Sequence, residues 1–327
     1  MRVELQEKLE LLKDNYSDAK KEFKWDMAIF NHFIALSYAS KGKRADTEKI
    51  KEIKTYIKDN TGFFSKFRGN SLSLMSLLLS FEEDYKTTFK EIEEMTIKLK
   101  ENGIASYEYS PMIAYTFLKN SNKENMDENI QRARLFYEDM KDNHVFLTSK
   151  DDYVYAALLG CTDLDVKGTC DKIEYIYYKL HSIGYSRSNG LQTVSHILSL
   201  RDDYEFRVEL FNQIVVKLKQ LRVKVNSYNL ASIAVVALIV DDYSEICNEI
   251  LEVYEDIKNA KGYKYGVQAH IKTMFSSILV TSIYTDEKNK LMDISSGLTM
   301  QLIAVAQQQA MMAAASAAAA SAAASSS

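Results

Sequence analysis

Residues 228–240 read YNLASIAVVALIV, thirteen residues without a charge, and the small-large-large pattern at their centre recurs along the whole chain. IALSY (34–38), SLLLS (76–80), AYTFL (114–118), AALLG (156–160), SHILS (195–199), VALIV (236–240) and SILVT (277–281) place their third residues at steps of 42, 38, 42, 39, 41 and 41. A persistent period near forty marks a repeat architecture. A second segment follows each of the first six cores: KTYIKDNTG (54–62), TIKLKENG (96–103), FYEDMKDNH (136–144), YYKLHSIG (177–184), VVKLKQLR (215–222) and VYEDIKNAKG (253–262). These are lysine-rich, with apolar residues such as Ile92, Met95 and Leu99 at the three- and four-residue spacing of a helix.

Punctuation agrees. Asp46, Asp84, Asp127, Asp165, Asp203, Asp242 and Asp286 recur between the two segments, where a carboxylate would accept hydrogen bonds from the N–H groups opening the second helix. The pairs at 202–203 and 241–242 also suit metal or acid-base chemistry, but recurrence in every repeat favours capping. Gly62, Gly103, Gly184 and Gly262 stand where a left-handed residue ends a helix. Ser110-Pro111 reads as an N-cap followed by proline at the first helical position, and it holds the one proline of 327 residues.

The expected fold is all-α: about seven helical hairpins of roughly forty residues stacked as an α-solenoid, with a closed α/α toroid as the alternative. Residues 1–22 form an added amphipathic helix able to cap the first hairpin, and 23–293 form the array. The stretch 294–327 is an uncharged Gln/Ala/Ser-rich segment, read as a helix over 298–312 on the last hairpin followed by a frayed end. It is interrupted by glutamines and lacks a basic flank, so membrane insertion is not expected.

A formal charge of −4 gives no general basic field for nucleic acid. Three cysteines, Cys161, Cys170 and Cys247, fit no disulfide framework, and the acid-bearing start MRVELQEKLELL does not read as a signal peptide. A cytoplasmic location is the default. No metal-ligand spacing or phosphate-loop motif occurs, no cofactor is implied, and His196, inside VSHILSL, reads as a core histidine.

Polar residues cluster where the first helices begin: FRGNS (67–71), SKDDY (149–153), SRSNG (186–190), NSYN (226–229) and YGVQAH (265–270). Arg68, Asn70, Asp151, Asp152, Asn189, Gln192, His196, Asn226, Asn229, Gln268 and His270 are therefore candidates for a polar binding strip, or else simple caps and turns. The leading expectation is a non-enzymatic binding or scaffold protein for a peptide, a protein or a second copy of itself. Its rival is an enzyme or small-molecule binder in a closed ring, with Asp151, Asp152, Asn189, Gln192 and His196 at the mouth.

FRGN (67–70), FLTSKDDYVYAALLG (146–160), LQTVSHIL (191–198) and the Gln- then Ala/Ser-rich end together resemble a family of Gram-positive bacterial proteins known as domain of unknown function 4003. The resemblance runs nearly end to end and implies no activity, ligand or catalytic residue.

Overall fold

A computed structural model describes residues 1–24, 26–104 and 108–288. The uncharged segment 294–327 lies outside the described residues. Among those described there are fourteen helices and no strands: α1 (Val3–Glu22), α2 (Ala28–Ser40), α3 (Thr47–Asn60), α4 (Asn70–Leu79), α5 (Tyr85–Glu101), α6 (Ser110–Asn120), α7 (Met126–Asn143), α8 (Tyr153–Gly160), α9 (Val166–Ser182), α10 (Asn189–Leu198), α11 (Tyr204–Gln220), α12 (Leu230–Ile239), α13 (Ser244–Asn259) and α14 (Ala269–Lys288). The chain divides into two compact units. One combines Met1–Ala45 with the chain from Lys172 onward, and the other is Asp46–Asp171.

Each recurrent apolar core lies in an even-numbered helix. These helices are buried nearly all round: nine of ten residues in α12 and eleven of thirteen in α2. The intervening helices bury one stripe. In α5 it consists of Phe89, Ile92, Met95 and Leu99, with Lys and Glu facing outward.

Capping explains most of the recurrent aspartates. Asp46 accepts from the Lys49 N–H at 2.9 Å, Asp84 from Thr87 at 3.1 Å and Asp165 from Gly168 at 2.7 Å, while Asp242, one residue before the N-cap Tyr243, accepts from the Ser244 N–H that opens α13 at 2.7 Å. Three positions differ. Asp203 holds the N-cap place of α11 but makes no capping bond, because Arg201 and Arg207 take its oxygens. Asp127 lies within the first turn of α7 and pairs with Lys98. Asp286 lies inside α14, so no turn follows the seventh core segment there. The helix of the lone proline starts one residue earlier than its sequence suggests, with Tyr109 rather than Ser110 at the N-cap.

Helix ends obey a related rule. Gly103 and Gly184 have positive φ, and the pairs Gly103 N–H to Lys100 O with Ile104 N–H to Leu99 O, and Gly184 N–H to His181 O with Tyr185 N–H to Leu180 O, close α5 and α9. Arg222 adopts the same conformation (φ 61°) and makes the same two bonds after α11. Gly62 does not have positive φ; α3 ends at Asn60, and the chain leaves it through an extended Thr61.

A second recurrent device ties neighbouring helices together. A cation in the first half of one outer helix donates to carbonyls at the end of the inner helix about thirty residues on, or in the connection just beyond it. Lys8 reaches Ser40 O (2.8 Å), Lys49 reaches Glu82 O (2.8 Å), and Arg132 reaches Gly160 O (3.3 Å), Thr162 O (2.8 Å) and Leu164 O. Arg207 reaches Ala237 O (3.1 Å) and Val240 O while pairing with Asp203 and Asp241. The last carbonyls of a helix lack intrahelical partners and carry its negative dipole end, so a cation satisfies both needs.

In the unit containing both Met1–Ala45 and the late helices, α1 lies beside α13 in the same direction. Arg2 meets Glu249 (2.6 Å) and Glu245 (3.2 Å), Lys13 meets Asp256 (2.8 Å), and Tyr16 meets Gly262. The buried ammonium of Lys8 bonds Ser282 of α14 at 3.0 Å, and Phe33 of α2 packs edge-on against Phe275 of α14. Besides packing on α2, α1 therefore covers α13 and α14.

Candidate functional site

Where α1 ends and α13 gives way to the connection 260–268, the two outer helices part around a groove of about 900 Å³. Lys13, Tyr16, Lys20 and Lys21 line it from α1, and Asp256 and Lys261 face them. One close approach fixes this end of the groove. Gly262 carries φ +91°, and a Cβ placed on it would lie 2.1 Å from the Tyr16 ring, so the chain passes closer to that ring than any side chain allows.

Tyr16 belongs to an aromatic floor. Its ring stacks on His32 at 4.1 Å and meets Tyr263 at 5.1 Å; His32 in turn meets Tyr263 edge-on at 4.6 Å. Tyr263 is fully buried, and its hydroxyl donates to the Leu12 carbonyl at 3.3 Å. His32 is buried with its Nδ1 lacking a hydrogen-bond partner. Burial, with a smaller push from Lys20, lowers its pKa to about 3, so the ring is neutral at ordinary pH.

The walls are charged unevenly. Lys13 is committed to Asp256 and to Glu10 (3.2 Å); burial works against its charge, but those two carboxylates outweigh it and raise its pKa above the ordinary value. Glu255, also on the lining, pairs with Lys258 at 3.0 Å, and Lys21 is 3.6 Å from Asp18. Among the described residues Lys20 and Lys261 have no carboxylate partner; the Lys20 ammonium stands 5.8 Å from the Tyr16 ring centre. Four lysines face two carboxylates in the lining, and both carboxylates are already neutralised. The groove is electropositive within a protein of net charge −4.

The polar residues at the starts of the inner helices have other engagements. In the unit Asp46–Asp171, Arg68 donates to three carbonyls that close α3: Lys58 O (2.8 Å), Thr61 O (2.6 Å) and Gly62 O (3.1 Å). Asn70 is the first residue of α4. Asp152 is buried at the entry to α8 and accepts from the Ser149 N–H at 2.8 Å, while Asp151 bonds the Ser149 hydroxyl. Burial, and then the neighbouring Asp151, push the Asp152 carboxyl up to about 7.

In the other unit, Asn189 is exposed at the first position of α10, and Gln192 and His196 are buried one turn apart on the same helix. Asn226, Asn229 and His270 do come together. The buried Asn229 accepts from the Asn226 N–H (2.9 Å) and donates to Lys224 O (2.8 Å) and His270 O (3.2 Å), tying the start of α12 to the start of α14. Gln268 is exposed, and its carbonyl accepts the first bonds of α14. Burial, followed by the charge of Lys224, lowers the pKa of His270. Among the described residues no group of three His, Cys, Asp or Glu side chains is placed to hold a metal ion.

Sequence reasoning missed the groove residues Lys13, Tyr16, Lys20 and Lys261. The one local signal was KGYKYG (261–266), basic and aromatic in alternation.

Fold and groove together define an all-helical protein with a cation-lined cleft floored by the Tyr16 ring, which rests on the buried rings of His32 and Tyr263. The chain belongs to the family described as Protein of unknown function (DUF4003), whose model matches residues 15–309, in agreement with the resemblance seen in its sequence. It is similar to Uncharacterized protein YeaA of Bacillus subtilis (strain 168), with 26% identity over 299 residues covering 89% of this chain and 88% of that protein. No solved structure matches it. Among the described residues no helix is long and apolar enough to cross a membrane.

Proposed function

We propose that this chain is a non-enzymatic binding protein that holds an acidic peptide segment of a partner in the groove between α1 and α13. The observation that carries this reading is the pair of uncompensated ammonium groups, Lys20 and Lys261, over a floor already fixed by ring stacking and by the Gly262 approach. A preorganised electropositive cleft attracts carboxylates at little ordering cost and speeds their encounter. The cleft also has the volume of a small-ligand site, which suits a few residues of extended chain.

The test is fluorescence anisotropy of a labelled Asp/Glu-rich peptide with the full chain. Wild type should bind, more weakly as salt rises, and the double variant Lys20→Glu, Lys261→Glu should abolish binding without changing the circular dichroism spectrum. Equal binding by the variant would remove the groove from the function.

A further inference from the structure

The net charge of −4 hides a segregation within the unit that holds the groove. The stretches 175–200, 210–240 and 257–285 carry two, four and four lysines or arginines and not one aspartate or glutamate. Each stretch includes a connection from an outer helix into an inner one: 183–188, 221–229 and 260–268. The connections at the opposite ends of α10 and α12, 199–203 and 240–243, hold Asp202, Asp203, Asp241 and Asp242. Positive charge is therefore collected at one end of these helices.

The three connections lie side by side. Asn229 bonds the His270 carbonyl, the Thr273 hydroxyl donates to Lys224 O at 2.8 Å, and Gly190 packs against Ser227 O. The connection 260–268 also borders the groove, through Lys261 and Gly262. Arg187, Arg222, Lys224 and Lys264 are exposed and, among the described residues, have no carboxylate partner. Two rings stand among them: Tyr265 (79% exposed), with the Lys264 ammonium 5.3 Å from its centre, and Tyr228 (63%), tilted on His270 at 5.4 Å. Glu255 and Asp256 are paired with Lys258 and Lys13, so the groove lining offers no unpaired acid where it meets 260–268.

We propose that the groove is the first part of a longer track. The partner's acidic segment leaves the groove over 260–268 and continues across 221–229 to 183–188. Its carboxylates meet the cations, and its apolar side chains rest on Tyr265 and Tyr228. This inference rests on the groove reading and adds the extent and composition of the partner to it. Like charges gathered on neighbouring connections repel one another, and a bound polyanionic segment relieves that repulsion. Packed helices lie about 8–10 Å apart, so the two steps between connections span about 16–20 Å. An extended chain covers that distance in about five or six residues at about 3.3 Å each. With the few residues held in the groove, the partner segment has about ten residues, acids interspersed with aromatic or apolar side chains.

Fluorescence anisotropy with the full chain tests the proposal at about 0.15 M salt, where exposed charges act over about 8 Å and the two parts of the track are sensed separately. Two labelled peptides built from Glu and Phe, of about four and about ten residues, would cover the groove alone and the whole track. Wild type should bind the longer about tenfold more tightly, the effect of several added exposed ion pairs. The variant Arg187→Glu, Lys224→Glu should bind both peptides equally, at the wild-type affinity for the shorter one. Both side chains are exposed, so thermal unfolding should match wild type. The neutral variant Arg187→Gln, Lys224→Gln removes the same contacts with less disturbance and should likewise lose most of the advantage. Equal affinities of wild type for the two peptides, or an undiminished advantage in both variants, would overturn the track and leave the groove in place. Failure of the shorter peptide to bind wild type, or its equal binding by Lys20→Glu, Lys261→Glu, would instead refute the groove reading, and the track with it. A single-stranded oligonucleotide that binds more tightly and displaces the longer peptide would assign the edge to nucleic acid and overturn the proposal.

Discussion

Replacing Arg207 by methionine should show how much one inter-helix tie contributes. The side chain is 2% exposed and donates five hydrogen bonds, two to the carbonyls of Ala237 and Val240 and three to Asp203 and Asp241. Methionine keeps most of the apolar stem and removes every donor. The carboxylates are 39% and 67% exposed and rehydrate, so their loss matters little. The carbonyls at the end of α12 lose a buried partner, at about 1–3 kcal/mol each when unsatisfied. With partial rehydration the total comes to about 2–4 kcal/mol. At about 2–4 °C per kcal/mol for a unit of this size, Tm should fall by about 5–15 °C.

Urea unfolding followed by circular dichroism, with calorimetry, measures both. The variant should also lose part of its acid sensitivity. Burial raises the Asp203 carboxyl, but hydrogen bonds from Arg201 and Arg207 outweigh it and hold the pKa well below the carboxylate range. A depressed pKa stabilises above the unfolded value near 4, and that stability is lost as pH falls below it. A loss under about 1 kcal/mol, within reach of an ordinary surface substitution, would refute the claim that these ties bind one repeat to the next.

Three further outcomes are expected. His32 has a folded pKa of about 3 against 6.5 unfolded, so its stabilisation is complete above pH 6.5 and lost progressively as pH falls toward 3. The loss amounts to about 5 kcal/mol, and His32→Phe should flatten that part of the curve; an unchanged wild-type-minus-variant difference across pH 4–7, roughly the interval bounded by those two values, would sink the argument. Arg222→Gly should stabilise by about 1 kcal/mol, because the left-handed conformation at φ 61° strains any residue with a Cβ; calorimetry checks it, and a lowered Tm would contradict it. Gly190→Ala should destabilise by about 2–3 kcal/mol in urea, since the new Cβ would lie 2.0 Å from the backbone oxygen of Ser227, and wild-type stability would show that the two helix starts separate freely.

Legibility followed range. The forty-residue period, the buried inner helices and the caps of Asp46, Asp84 and Asp165 obey rules that act within a few residues, and each is visible in the chain as written. Asp203 departed because Arg207, four residues on, competes for its oxygens, and no capping rule anticipates that competition. The cation-to-carbonyl ties went unseen because their acceptors are backbone oxygens, which no residue type marks. Arg222 hid a glycine-like turn behind a side chain. The groove was least legible of all, since Tyr16 and Gly262 stand almost 250 residues apart and only the folded chain brings them together. The polar strip remained ambiguous for a different reason: Asn229 at a helix start satisfies capping and inter-helix bonding with the same two atoms that would hold a ligand.

The partnership of α1 and α2 with α13 and α14 sets a schedule for synthesis. Phe33, Lys8 and Arg2 find their partners at Phe275, Ser282 and Tyr284. A ribosome adding about 5–20 residues per second makes the first hairpin wait roughly ten to fifty seconds for them. Through that interval α2, which buries eleven of its thirteen residues in the finished protein, has one side uncovered. The nascent chain is therefore most exposed to wrong association at its oldest segment, and completion of α14 ends that exposure.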